Sequence, residues 1–149
     1  VSRFDCLRLM DETDLDWAVS VEQRVHLVPW SKKGFEQALA DSVSFVMQGA
    51  DNRALGYMIL LPVLDELHLL NLAVDSDYQG QGVAKAAMQA LIKRFDESDY
   101  QTLLLEVRES NKIARHIYQK IGFQQDGMRK NYYQTSTGRE HAVLMSLKL

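Results

Sequence analysis

Between Leu67 and Phe95 an apolar strand runs into a two-glycine loop and then a long amphipathic helix, and no other stretch constrains the fold as tightly. The strand Leu67-His68-Leu69-Leu70-Asn71-Leu72-Ala73-Val74 is short, apolar and bounded by turn residues. The helix carries Val83, Ala84, Ala87, Met88, Leu91, Ile92 and Phe95 at i, i+3, i+4 spacing, which predicts one buried face. Between them lie Asp75-Ser76-Asp77-Tyr78 and Gln79-Gly80-Gln81-Gly82-Val83-Ala84. The glycines let backbone N–H groups converge on one concavity, and the helix N-terminus adds unpaired donors with a partial positive charge. That combination binds phosphate.

The spelling of the loop narrows the ligand. A Walker loop ends in Gly-Lys-Ser/Thr, whereas here Lys85 stands between Ala84 and Ala86. A dinucleotide fingerprint needs Gly or Ala three residues after Gly82, where Lys85 stands. Neither fits. From the loop alone, a turn that merely joins strand to helix stands beside the phosphate reading.

Composition excludes several classes. With 149 residues, 46% of them hydrophobic and 25% charged, the chain has the make-up of one globular domain spanning 1–149 with a real core. A net charge of −3 gives no global field for nucleic acid. The single cysteine, Cys6, allows no internal disulfide and suits a reducing cytosol, so a cytoplasmic location is expected. No apolar run reaches the roughly 18 residues of a membrane span, and the N-terminus reads as a strand rather than a signal peptide. His26, His68, His116 and His141 show no metal-ligand spacing with one another or with Cys6, so no metal is expected.

Along the chain the pattern predicts a strand at Phe4–Leu9, a helix capped by Thr13 and running to about Val25, and a second helix capped by Ser31. Strands follow near 44–48 and 54–64, the latter interrupted by Pro62, and then the strand, loop and helix already described. A strand at 102–107, a helix from Asn111 to Ile121 and strands near 123–133 and 141–147 complete the order βααβββαβαββ. That order suits an α+β fold of three layers, α/β/α, around a mixed, mainly antiparallel sheet of about seven strands.

A second constellation lies in Leu103-Leu104-Leu105-Glu106-Val107-Arg108, followed by Asn111 and a helix predicted to turn Ile113, Ala114, Ile117, Tyr118 and Ile121 inward. Glutamate is depleted from strands, so Glu106 at the end of an apolar one needs compensation. Each residue also has a plainer account: Glu106 at a solvated strand end, Tyr118 as a core aromatic, Asn111 as a helix cap.

Taken together, these segments resemble a known family. Gln79-x-x-Gly82-x-Ala84 after an apolar strand resembles the pyrophosphate loop of the GCN5-related N-acetyltransferases (GNAT), and the element order matches their fold over essentially the whole chain. Within that superfamily, Leu105-Glu106-Val107-Arg108-x-x-Asn111 with Tyr118 resembles the bacterial ribosomal-protein-alanine N-acetyltransferases. So do His26-x-x-Pro29-Trp30-Ser31, Asn71-Leu72-Ala73-Val74-Asp75, Arg129-x-Asn131-Tyr132-Tyr133 and Gly138-Arg139-Glu140-His141-Ala142. Three positions depart from the family pattern. Gly80 stands where a basic residue is frequent, Ala84 where Gly is usual, and His141 where the family has Asp.

The resemblance implies acetyl transfer from acetyl-CoA to the N-terminal alanine of a small-subunit ribosomal protein, with no nucleic acid or membrane engaged directly. It implies Glu106 as base, directly or through water, and Tyr118 as the acid for the departing thiolate. It assigns acetyl-CoA to Leu72, Ala73 and Val74, to the loop Gln79, Gly80, Gln81, Gly82, Val83, Ala84 and Lys85, and to Asn111. A backbone N–H near Val74 serves the oxyanion. Trp30, Tyr132 and Tyr133 are expected to form the walls for the substrate peptide. The amine attacks directly, so Cys6 is expected to be a small core residue.

Amine basicity supports the same substrate from another direction. An α-amino group near ~7.7–8.0 is substantially neutral at pH 7, whereas a lysine near ~10.4 is not, so one carboxylate serves an N-terminus more readily. A lysine or small-amine acetyltransferase and a non-catalytic acyl-CoA-binding module are the alternative readings, and the oligomeric state is open.

Overall fold

The computed structural model describes residues 4–149, and its elements follow the expected order. They are β1 (Phe4–Leu9), α1 (Leu15–Val25), α2 (Lys32–Asp41), β2 (Val43–Gly49), β3 (Ala54–Val63), β4 (Glu66–Val74), α3 (Val83–Phe95), β5 (Thr102–Arg108), α4 (Lys112–Ile121), β6 (Gln124–Gln134) and β7 (Arg139–Lys148). The strands form one sheet in the order β1-β2-β3-β4-β5-β7-β6, antiparallel except for the pair β4/β5.

Alternation along the central strands explains the three layers. Phe45, Met47, Met58 and Leu60 point to one face, where they pack with Ala87, Met88 and Leu91 of α3 and Tyr118 of α4. Val46, Tyr57 and Ile59 point to the other, where Ala18 and Val21 of α1 and Phe35 and Ala38 of α2 cover them. Each helix therefore buries one stripe against an already apolar sheet face.

The β4/β5 pair places the site. Their pairing covers Glu66–Leu69 against Thr102–Leu105 and stops there. At the same point β4 carries an extra residue: Ile59 opposes Asn71 and Leu60 opposes Leu69, leaving Leu70 as a bulge. Beyond it, β4 stays paired to β3 while Glu106, Val107 and Arg108 stay paired to β7. The sheet splits between them.

Local differences from the sequence-based expectations have physical causes. Asp11, rather than Thr13, caps the entry to α1, through a short 3-10 turn at Glu12–Asp14. Strand β3 runs on through Pro62, because β2 ends opposite Leu60 and a proline is tolerated where one neighbour is missing. Ile113 is not inward but 78% exposed, since the first turn of α4 overhangs a cavity instead of the core. Cys6 is only partly buried, on edge strand β1. Among the described residues no helix is long and apolar enough to cross a membrane, and no group of three or more His, Cys, Asp and Glu residues is placed to hold a metal ion.

Candidate active site

Two adjoining cavities open at the split in the sheet. One, of about 980 Å³, is lined by Leu72, Ala73, Val74, Gln79, Ala84, Asn111 and Ile113 among others. The other, of about 620 Å³, is lined by Glu106, Tyr118, Trp30, Tyr132 and Tyr133, together with Glu22, His26 and Asn71. Leu72, Arg108 and Asn111 belong to both, so a group held in one is continuous with a group held in the other.

The larger cavity reaches the glycine loop at Gln79 and Ala84, while Gly80, Gln81, Gly82, Val83 and Lys85 lie beyond its lining. Gly80 and Gly82 adopt left-handed φ values of 74° and 78°, and a Cβ built at either would meet nothing within 4 Å. Left-handed backbone is accessible to glycine at little cost, and here it faces open space. No side chain caps α3, whose first-turn N–H groups have no intrahelical acceptor. The Gln79 amide donates to the Val74 carbonyl at 3.0 Å and Gln81 to the Asp77 carbonyl at 3.3 Å, which fixes the loop against the end of β4. The Val83 side chain is buried in the core, leaving only its backbone for a ligand, while Lys85 is exposed on the first turn. Free donors, a helix dipole and empty space over two glycines fit a pyrophosphate.

In the smaller cavity, Glu106 lies at the end of β5 with its side chain 29% exposed and its Oε1 2.9 Å from Arg129 Nη2. Tyr118 is buried against Phe123, with ring centroids 5.6 Å apart, yet its hydroxyl has no hydrogen-bond partner among the described residues. Ser44 Oγ is the sole fully enclosed, unpartnered side-chain polar atom there, so the Tyr118 hydroxyl still reaches the cavity. Tyr118 thus combines a ring packed in the core with a hydroxyl at the cavity. Burial, with a smaller contribution from Tyr133, raises its pKa to about 12. Tyr133 is also raised to about 12, by burial and then by Glu106. Both remain protonated near neutrality, as a proton donor must. Asn111 caps α4 by accepting from the Ala114 N–H at 3.2 Å.

Two arginines brace the wall of this cavity. Arg129 pairs with Glu106 and lies 4.6 Å from the Tyr132 ring centroid. Arg108 pairs with Glu140 at 3.0 Å and lies 4.6 Å from the Tyr133 ring centroid. Glu140 also accepts from the Ser110 N–H, tying β7 to the turn before α4.

Sequence reasoning missed the floor. Glu22 on α1 is 1% exposed and accepts from the Tyr57 hydroxyl, from Asn71 Nδ2 at 2.8 Å and from the Trp30 N–H at 2.9 Å. His26 Nε2 lies 3.0 Å from Asn71 Oδ1. One carboxylate thus joins α1, β3, β4 and the α1–α2 connection. Tyr57 is correspondingly pushed far above the ordinary tyrosine value by burial and by Glu22. The legible signal was a charge on the buried stripe of Leu15, Ala18 and Val21.

A mixed seven-stranded sheet that splits beside a two-glycine loop at a helix N-terminus is the layout of the GNAT acyltransferases, whose donor is acetyl-CoA. The model of the acetyltransferase (GNAT) family matches residues 9–123, and the chain belongs to that family. It is an N-acetyltransferase with acetyl-CoA as donor. It is 39% identical over 140 residues to the [ribosomal protein bS18]-alanine N-acetyltransferase of Escherichia coli (strain K12), covering 94% of this chain and 95% of that one. The enzyme of the same description from Haemophilus influenzae is 40% identical over 141 residues, 94% of this chain and 96% of that one. Among solved structures, the ribosomal-protein-S18-alanine N-acetyltransferase from Escherichia coli superposes with a TM-score of 0.88 at 38% identity, covering 95% of this chain and 92% of that one.

Proposed function

We propose that this protein acetylates the N-terminal amine of a ribosomal protein that begins with alanine, in the cytoplasm and through one catalytic domain. The observation that carries the reading is the convergence of Glu106, Tyr118, Trp30, Tyr132 and Tyr133 on one cavity, continuous at Leu72 and Asn111 with the cavity beside the glycine loop. The names of relatives aligned over 94% of the chain support the same substrate.

In this mechanism the loop from Gln79 to Lys85 and the first turn of α3 hold the pyrophosphate, and the backbone of Leu72 to Val74 orients the thioester. The substrate's ammonium gives a proton to Glu106, and the neutral amine attacks the thioester carbonyl. A backbone N–H near Val74 stabilises the oxyanion. The carbon–sulfur bond then breaks, the Tyr118 hydroxyl protonates the departing thiolate, and the proton shed by the newly acylated nitrogen returns to the Tyr118 oxygen. Trp30, Tyr132 and Tyr133 flank the peptide and exclude water, leaving a slot that rejects bulky first residues.

The test is a panel of N-terminal peptides, free and N-blocked, incubated with acetyl-CoA and read by mass spectrometry. Product on free alanine peptides alone is expected. Product on blocked peptides means lysine transfer, and acetyl-CoA binding without product on any peptide means a binding module; either result overturns the proposal.

A further inference from the structure

We infer that His141 is a positioning residue for the peptide wall, and that it holds that wall only while its ring is neutral. The inference rests on the peptide placement proposed above and adds to it a residue and a condition.

The register of β6 against β7 carries the argument. Arg129 opposes Ala142 and Tyr133 opposes Glu140, so one residue of β7, His141, faces three of β6, Lys130, Asn131 and Tyr132. The extra residues form a bulge in which Asn131 takes a φ of 51°, uncommon outside glycine. A bulge interrupts the ladder and leaves backbone groups to be satisfied otherwise. Here the Asn131 N–H donates to His141 Nδ1 at 3.0 Å. The bulge is also the part of β6 that presents the active-site groups: Arg129 and Tyr133 bound it and Tyr132 lies in it.

A backbone N–H can only donate, so Nδ1 must offer its lone pair and the proton must sit on Nε2. An imidazolium carries N–H groups on both nitrogens and turns this contact into donor against donor. The charged residues beside His141 in the sheet are Arg139 and Glu140 on β7, Arg108 at the end of β5 with Glu109 just after it, and Arg129 and Lys130 on β6. Among them Arg108 is paired with Glu140 and Arg129 with Glu106. Protonation of the His141 ring takes away the acceptor that holds the Asn131 N–H in the bulge.

The experiment measures steady-state KM for a short peptide beginning with alanine, and for acetyl-CoA, in the wild type, His141→Ala, His141→Asn and Tyr133→Ala between about pH 5.5 and 8. Loss of one hydrogen bond sets the expected scale, a peptide KM raised about fivefold in His141→Ala at pH 8 with the KM for acetyl-CoA unchanged. His141→Asn, whose Oδ1 occupies the place of Nδ1, restores the wild-type peptide KM. The ratio of wild-type to His141→Asn peptide KM climbs from near unity at pH 8 towards that fivefold value at low pH. Taking the ratio cancels every pH effect common to the two proteins. A ratio that stays flat across the range, or a wild-type peptide KM in His141→Ala while Tyr133→Ala raises it, overturns the inference alone. A peptide KM unmoved by Tyr133→Ala overturns the peptide placement and the inference with it.

Discussion

Glu106 on β5 and Arg129 on edge strand β6 form an ion pair with 2.9 Å between Oε1 and Nη2, so the proposed base already faces a cation before any amine arrives. The pair is partly exposed, and such pairs contribute only about 0–1 kcal/mol. A substrate ammonium can therefore take the place of Arg129 at little cost. Glu106→Gln is expected to lower kcat by about 10²–10⁴-fold, the usual range for a positioned proton-transfer group, with acetyl-CoA affinity and Tm essentially kept. Calorimetric binding beside steady-state rates checks it; an unimpaired kcat assigns the base elsewhere.

Gly82→Val tests the cradle. The new Cβ meets no protein atom within 4 Å, so the fold tolerates it apart from left-handed backbone strain of roughly 1–2 kcal/mol. The side chain instead occupies space over the loop and raises the dissociation constant of acetyl-CoA at least tenfold. An unchanged constant in a folded variant would remove the loop from the cofactor site.

Tyr118→Phe separates chemistry from packing, because the ring stays and only the open hydroxyl is lost. The expected result is a kcat reduced by about 10²-fold with Tm within a few degrees of wild type. Intact activity with a lowered Tm means that the ring's place in the core is all that matters.

Alkaline pH gives an independent check on the same tyrosine. Its folded pKa of about 12 exceeds the ordinary value of about 10, so between these limits the folded state holds a proton that the unfolded chain releases. The stability from this group is complete below pH ~10 and is lost as pH rises through about 12. Ultraviolet difference titration of wild type against Tyr118→Phe should show one ionisation near 12; a step near 10 contradicts the burial.

Glu22→Ala should be the most damaging change at the floor of the site. It leaves Tyr57, Asn71 and the Trp30 N–H without their common acceptor, and buried unsatisfied groups lose about 1–3 kcal/mol each. A fall of roughly 3 kcal/mol or more in urea-unfolding stability is expected. Tyr57→Phe, which removes one donor and leaves Glu22 its other partners, should lower stability by about 1 kcal/mol. Equal effects of the two substitutions argue against Glu22 as the hub.

The amino-acid sequence by itself determined what depends on near neighbours. Period-two and period-3.6 spacing reproduced the order of every strand and α-helix, because each buried stripe is written within one element. The glycine loop was legible for the same reason: Gly80, Gly82 and the start of α3 are contiguous. Glu106 stood out as a carboxylate on an apolar strand, and Tyr118 joined it through the resemblance of their shared segment.

Tertiary structure decided what depends on register between distant segments. Nothing local announces that β4/β5 pairing stops at Leu69 and Leu105, yet that end point opens the cleft. Glu22 meets Tyr57 and Asn71 from 35 and 49 residues away, and Glu106 meets Arg129 only because β7 lies between their strands. Ile113 carried a core residue's spacing but overhangs the larger cavity, since periodicity marks an apolar stripe without saying what covers it. His141 meets the Asn131 N–H only through a bulge on the neighbouring strand. The physical reason is common to all of them: spacing along the chain selects a face, but a side chain's partner is selected by strand register and sheet order, which are settled by the packing of the whole sheet.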